Sequence, residues 1–180
     1  MLLGNKEDFA VECYHEPDYP NDHGWVFGRM CIWCQGTVLG DPNEPACMLN
    51  VTEGCVENCL AQLDNLRDET VDDLPDEAAY DLLEAAIYGP VDRSSAQIHA
   101  DSIRYRKFDF FTPWGESFDK NRGFLIEVDG GYRVLYSHLS GYTGGARVSR
   151  EGLINALRGF LDWMAVEKAK LPTAGWAAGG

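Results

Sequence analysis

Residues 124–136 read Phe-Leu-Ile-Glu-Val, then Asp-Gly-Gly, then Tyr-Arg-Val-Leu-Tyr. Asp-Gly tolerates the unusual backbone angles of a tight reversal, and each flanking run has the length and β-branched or aromatic character of a strand. The chain is therefore expected to contain an antiparallel pair, Phe124–Val128 against Tyr132–Tyr136, and the remaining elements must be arranged around it.

The N-terminal third predicts more strands. In Phe9–Tyr14, Phe9, Val11 and Cys13 fall on one face and Glu12 on the other. Trp25–Cys34 is apolar enough for the middle of a sheet. Gln35-Gly36 supplies a turn, and Thr37–Leu39 can return as a short third strand, which makes a meander. The polar segment 15–24 reads as a loop.

Helices are expected next. Asn50 with Glu53 three residues on has the form of a capping box, followed by Val56, Leu60 and Leu63 at helical spacing. A second helix is expected from Pro75 to Tyr88, with Leu82, Leu83, Ala86 and Ile87 on its stripe and Gly89-Pro90 ending it. Ile103–Phe111 alternates aromatics with bases and reads as a strand. Its bases are read as neutralising the chain's own acids. The glycine-rich Gly141–Gly145 reads as a flexible connection. Ser149 can cap a last helix that buries Leu153, Ile154, Leu157, Phe160, Leu161 and Met164. This order predicts an α+β fold: an antiparallel sheet, N-terminal meander plus later hairpin, with two middle helices and a C-terminal helix packed on it. At 180 residues the chain is expected to form one domain over 1–171, followed by a flexible Gly/Ala-rich tail at 172–180.

Charge narrows the partners. The net charge is −14, and residues 1–92 hold twenty acids against three bases. Phosphate-bearing nucleic acid and anionic membrane surfaces both demand the opposite sign, so neither is expected as a partner. No run approaches a membrane span, and the first residues lack the features of a secretory signal, so a cytoplasmic protein is expected. A protein partner with a basic face would be drawn in quickly.

Catalytic groups are not expected. Cys31-x-x-Cys34 has redox or zinc spacing but ends a predicted strand, where residues three apart face opposite ways. Cys55 and Cys59 sit one helical turn apart, a spacing that fits a four-thiolate zinc site poorly. The six cysteines (13, 31, 34, 47, 55 and 59) are read as free, mostly buried thiols without metal. His15, His23, His99 and His138 fall in separate segments, and the chain has no phosphate-cradling loop or nucleophile elbow. Two alternatives stay open: a small zinc- or thiol-dependent enzyme using Cys31, Cys34, Cys55 and Cys59, and a general adaptor domain.

One ordered set of residues adds to this reading. Gly4-Asn5, Phe9-Ala10-Val11, Trp25-Val26-Phe27-Gly28, Trp33-Cys34-Gln35-Gly36 and Leu39-Gly40-Asp41 together resemble the start of the immunity-protein-42 family of bacterial polymorphic toxin systems. The resemblance implies a small α+β protein that binds and neutralises a cognate toxin domain stoichiometrically, with no cofactor. The residues carrying it are core and turn positions and locate no interface. Candidate contacts come from the densest acidic block, Asp64, Asp68, Glu69, Asp72, Asp73, Asp76, Glu77, Asp81 and Glu84. Four aromatics outside clear core positions, Tyr19, Trp114, Phe118 and Tyr142, are candidate anchors.

Overall fold

The computed structural model describes residues 1–18, 24–89, 92–138 and 141–171. The meander and the hairpin belong to two separate antiparallel sheets. The first orders β1 (Leu2–Gly4), β2 (Phe9–His15), β3 (Phe27–Cys34) and β4 (Thr37–Leu39), and β5 (Cys47–Met48) also pairs with β3. Phe9 lies opposite Cys34 and His15 opposite Gly28. Gln35 and Gly36 both take positive φ, 47° and 79°, in the two-residue turn from β3 to β4. That geometry matches strand twist in a tight hairpin.

The second sheet orders β6 (Asn121–Val128), β7 (Gly131–His138) and β8 (Tyr142–Ser149). The expected hairpin is present, with Leu125 opposite Val134 and Gly130 at φ 84° in the turn. The stretch 141–145 is not a loose connection: residues 142–145 open the edge strand β8. Its glycines make room for neighbours, since a Cβ on Gly144 would sit 2.7 Å from the Tyr136 hydroxyl and one on Gly145 2.6 Å from Asp76 Oδ2.

Four helices complete the fold: α1 (Leu49–Gln62), α2 (Asp76–Tyr88), α3 (Ser95–Tyr105) and α4 (Arg150–Lys170). The α1 start differs from expectation. Asn50 lies inside the helix, and its Oδ1 accepts the Val26 N–H at 2.7 Å, which ties α1 to the strand ahead of it. The segment read as a strand at 103–111 is instead the end of α3 and a 3₁₀ turn at Arg106–Phe108. Ser94 and Gln97 form a true capping box there, with the Gln97 N–H donating to Ser94 Oγ and the Ser94 N–H to Gln97 Oε1.

Helix α4 starts where expected. Ser149 Oγ accepts the Gly152 N–H at 3.0 Å and donates to Asp8 Oδ2 at 2.5 Å, joining the cap to the turn between β1 and β2. Leu153, Leu157, Phe160 and Met164 are buried, joined by Ala156 and Trp163, while Ile154 and Leu161 are half-buried. Each fully buried Leu or Phe stabilises the fold by roughly 1.5–3 kcal/mol. At its far end Glu167 lies 2.9 Å from His15 Nδ1, so α4 is fastened to β2 along the face that carries Phe9, Val11 and Cys13. No helix among the described residues is long and apolar enough to cross a membrane.

Candidate interaction surface

The acidic block lies on the connection after α1, residues 63–75, and along α2. Asp68 organises the connection. Its carboxylate accepts Arg104 Nε and Nη2, both at 2.7 Å, and the Thr70 N–H and hydroxyl at 2.9 and 2.6 Å. Arg104 holds the Asp68 carboxyl well below the usual carboxylate range. Asp72 faces inward, accepting the Asp68 N–H at 3.0 Å. From β7, the buried Arg133 donates to the carbonyls of Leu74 at 2.7 Å and Val71 at 2.9 Å, and to Asp76 Oδ1 at 3.3 Å. Lys107 Nζ donates to the Arg67 carbonyl at 2.9 Å. Cations from three different elements thus hold one loop.

The nine acids therefore divide. Asp64 is paired with Arg150, Asp68 with Arg104, Asp76 with Arg133 and Glu84 with Arg122. Asp72 serves the loop's own backbone. Glu69, Asp73, Glu77 and Asp81 are exposed and make no ion pair among the described residues. Glu77 and Asp81 stand i, i+4 on α2, and Glu69 and Asp73 lie on the loop ahead of it, so the four make one acidic ridge. Exposed like charges at that spacing repel by a few tenths of a kcal/mol per pair, so the ridge is a feature the fold tolerates rather than one that stabilises it.

The aromatic candidates fare differently. Trp114 and Phe118 are fully buried, which corrects their reading as surface anchors. They stack into a cluster in which the Phe110 and Trp114 centroids are 5.0 Å apart and those of Trp114 and Phe118 5.7 Å. Gly40, at φ 94°, lies under Phe118, where a Cβ would come within 2.8 Å of the ring. A polar, proline-broken segment hid this burial from sequence. Tyr142 is half-buried, its ring 5.8 Å from that of Tyr80. Tyr19 lies outside the described residues.

The thiols sit in poor places for chemistry. Cys13, Cys31, Cys34 and Cys47 are buried, Cys55 and Cys59 half-buried, and all six are free. Burial pushes the thiol pKa of Cys13 and Cys59 up to about 12 and that of Cys31 to about 11. Cys31 and Cys34 lie on opposite faces of β3, opposite Glu12 and Phe9 respectively. Among the described residues no three His, Cys, Asp or Glu side chains converge as a metal ion would require. His15 is engaged with Glu167, and the His138 Nδ1 lies 3.3 Å from Asn121 Nδ2. His99 is exposed on α3, and His23 lies outside the described residues.

Two residues that matter here escaped sequence reasoning. Arg133 was visible only as a lone base in an apolar strand, a pattern that marks a buried cation with carbonyl partners. Tyr14, on β2 of the first sheet, is placed by strand alternation with Ala10 and Glu12 on the face away from α1 and α4.

The model of the family described as immunity protein 42 matches residues 1–162 of the chain. A solved structure, the crystal structure of CdiI from Burkholderia dolosa AUO158, is similar in fold, with a TM-score of 0.65 at 17% identity over 91% of this chain and 99% of that one. No curated protein matches.

Proposed function

The chain belongs to the immunity protein 42 family, and from that premise we propose that it neutralises a cognate toxin domain by direct stoichiometric binding, using the exposed ridge of Glu69, Asp73, Glu77 and Asp81 to draw in a basic face of the toxin. The family match over 162 of 180 residues carries the reading. The ridge supplies its physics: four uncompensated acids raise the encounter rate with a cationic surface, and a loop already pinned by Arg104 and Arg133 loses little freedom on docking. Asp68, Asp72 and Asp76 hold the loop that carries part of the ridge, Asp64 and Glu84 are paired with Arg150 and Arg122 beside it, and half-buried Tyr142 is a secondary contact.

This role asks for no turnover and no cofactor. Tight binding alone silences a toxin, and the high thiol pKa values leave Cys31, Cys34, Cys55 and Cys59 poorly suited to nucleophilic or redox work. A toxin acting inside the cell places its inhibitor in the cytoplasm. The test is co-expression with the C-terminal domain of the protein encoded by the adjacent upstream gene, as the candidate toxin domain. Growth is restored to cells that the domain alone kills, and the two copurify at fixed stoichiometry. Failure of rescue by well-folded protein, or rescue without a complex, sinks the reading.

A further inference from the structure

Helices α1 and α4 cover the same face of the first sheet: Leu49 of α1 presses on Gly28, and Glu167 of α4 reaches His15. The opposite face has a floor of small buried residues, Ala10 and Cys31, and walls of Leu2, Tyr14, Trp33 and Val38. Tyr14 is 57% exposed, Leu2 45% and Val38 44%. Three of the molecule's largest exposed apolar side chains therefore share one sheet face. A groove of about 470 Å³ lies at one end of it, lined by Glu12, Tyr14, Arg29 and Cys31 of the face together with Met1 and Pro42.

The side-chain charges on this face are paired within it, and the terminal ammonium of Met1 beside it donates to the Cys13 carbonyl at 2.6 Å. Lys6 Nζ lies 2.7 Å from Glu12 Oε2 and 3.8 Å above the Trp33 ring, Trp33 Nε1 donates to the same Glu12 oxygen at 2.8 Å, and Arg29 Nε meets Glu16 at 2.5 Å. At the strand ends the situation reverses. Glu7, Asp18 and Asp41 are exposed and make no ion pair among the described residues. The surface thus sets exposed apolar side chains around internally paired charges and has unpaired acids beyond its strand ends, an arrangement suited to a heterologous protein interface.

We infer that this face anchors the cognate toxin domain, through a toxin patch that offers apolar side chains to Leu2, Tyr14 and Val38 and basic residues to the acids at the strand ends; the inference rests on the immunity reading above. Charge complementarity selects that occupant over a second copy of this chain. At strand spacings of about 4.8 Å and rises of about 3.3 Å, β1–β4 present on the order of 350 Å², well under the ~800 Å² each partner gives to a standard interface. Any docking must extend over the strand ends, where two copies would set acid against acid and a basic toxin would set base against acid. The face and the α2 ridge have separate roles: the ridge sets how fast the partners meet, the face how long they stay.

The test uses the full chain and the neighbouring toxin domain in stopped-flow and surface-binding kinetics, with Tyr14→Ala/Leu2→Ala as one variant and Val38→Lys as an independent second. Both sites are exposed, and circular dichroism and melting report whether the fold is kept. Dissociation at least 30-fold faster with association within about twofold of wild type is the expected result. Wild-type dissociation rates in folded variants overturn the inference and leave the immunity reading standing. Failure of the wild-type chain to bind the domain at all removes both. Sedimentation of the chain alone should show a monomer. A dimer that Tyr14→Ala/Leu2→Ala dissolves assigns the face to self-association and overturns the inference.

Discussion

Arg104 grips Asp68 in a fork, Nε and Nη2 each 2.7 Å from a different carboxylate oxygen. The two residues are 36 apart in sequence, and the fork joins the end of α3 to the loop that leads into α2. It also fixes where the neighbouring acids point. With Asp68 turned inward, Glu69 is left facing solvent.

The fork has a pH signature. Arg104 depresses the Asp68 pKa in the folded protein below its unfolded value of about 3.9. A group with a depressed folded pKa contributes stability that is fully present above the unfolded pKa and lost as pH falls through the folded one. Thermal melts of wild type and Asp68→Asn from pH 6 down to pH 2 should therefore differ most at the upper end. Below about pH 4 the two curves should draw together. A gap that stays constant to pH 2 would mean the ionised fork contributes nothing.

Arg133 makes a larger single contribution because it is only 3% exposed. Replacement by Met keeps the bulk and removes the donors to Leu74 and Val71, leaving the Leu74 carbonyl without its partner and the Val71 carbonyl with only the Leu74 N–H at 3.3 Å. A cost of about 2–4 kcal/mol is expected. At roughly 2–4 °C per kcal/mol for a chain of this size, the melting midpoint should drop by about 4–16 °C. Arg104→Met, at a half-exposed site, should cost visibly less in the same melts.

Sequence reading succeeded where one local signal decided the outcome and failed where a contact distant in sequence did. The Asp129-Gly130 hairpin, the Gln35-Gly36 turn and the Ser149 cap are set by a few adjacent residues. The α3 error has a local cause: the alternation in Ile103–Phe108 was weighed without the Ser94–Gln97 box upstream, and Ile103, 71% exposed, packs on no strand neighbour. β8 is different. Its glycines are dictated by Tyr136 and Asp76, which no local window contains. Asn50 likewise has a capping sequence but is recruited by Val26. At the candidate surface, composition identified the acids, yet their division into paired and unpaired sets depends on arginines 36 to 86 residues away.

That division yields a kinetic prediction. Neutralising only the unpaired acids (Glu69→Gln, Asp73→Asn, Glu77→Gln, Asp81→Asn) removes four charges and no ion pair among the described residues. Association with the toxin domain should slow about tenfold at low salt, and its salt dependence should flatten, with dissociation little changed. Melting should stay near wild type, because no pairing is lost. Unaltered association across a salt series would show that steering comes from elsewhere on the chain.

The last prediction concerns the thiols. With its pKa raised to about 11, Cys31 would be about one part in a thousand thiolate at pH 8, and Cys13 and Cys59, at about 12, tenfold less. Burial shields Cys13, Cys31, Cys34 and Cys47 sterically as well, whereas Cys55 and Cys59 are half-exposed on α1. A thiol reagent added to native protein should therefore react slowly and first at Cys55, and denaturant should release all six groups at once. The protein purified without added metal should carry no zinc. Fast native labelling of Cys31 or Cys34 would contradict the closed packing of β3 against its neighbours. Stoichiometric zinc that protects Cys55 and Cys59 from the reagent would return those thiols to functional consideration.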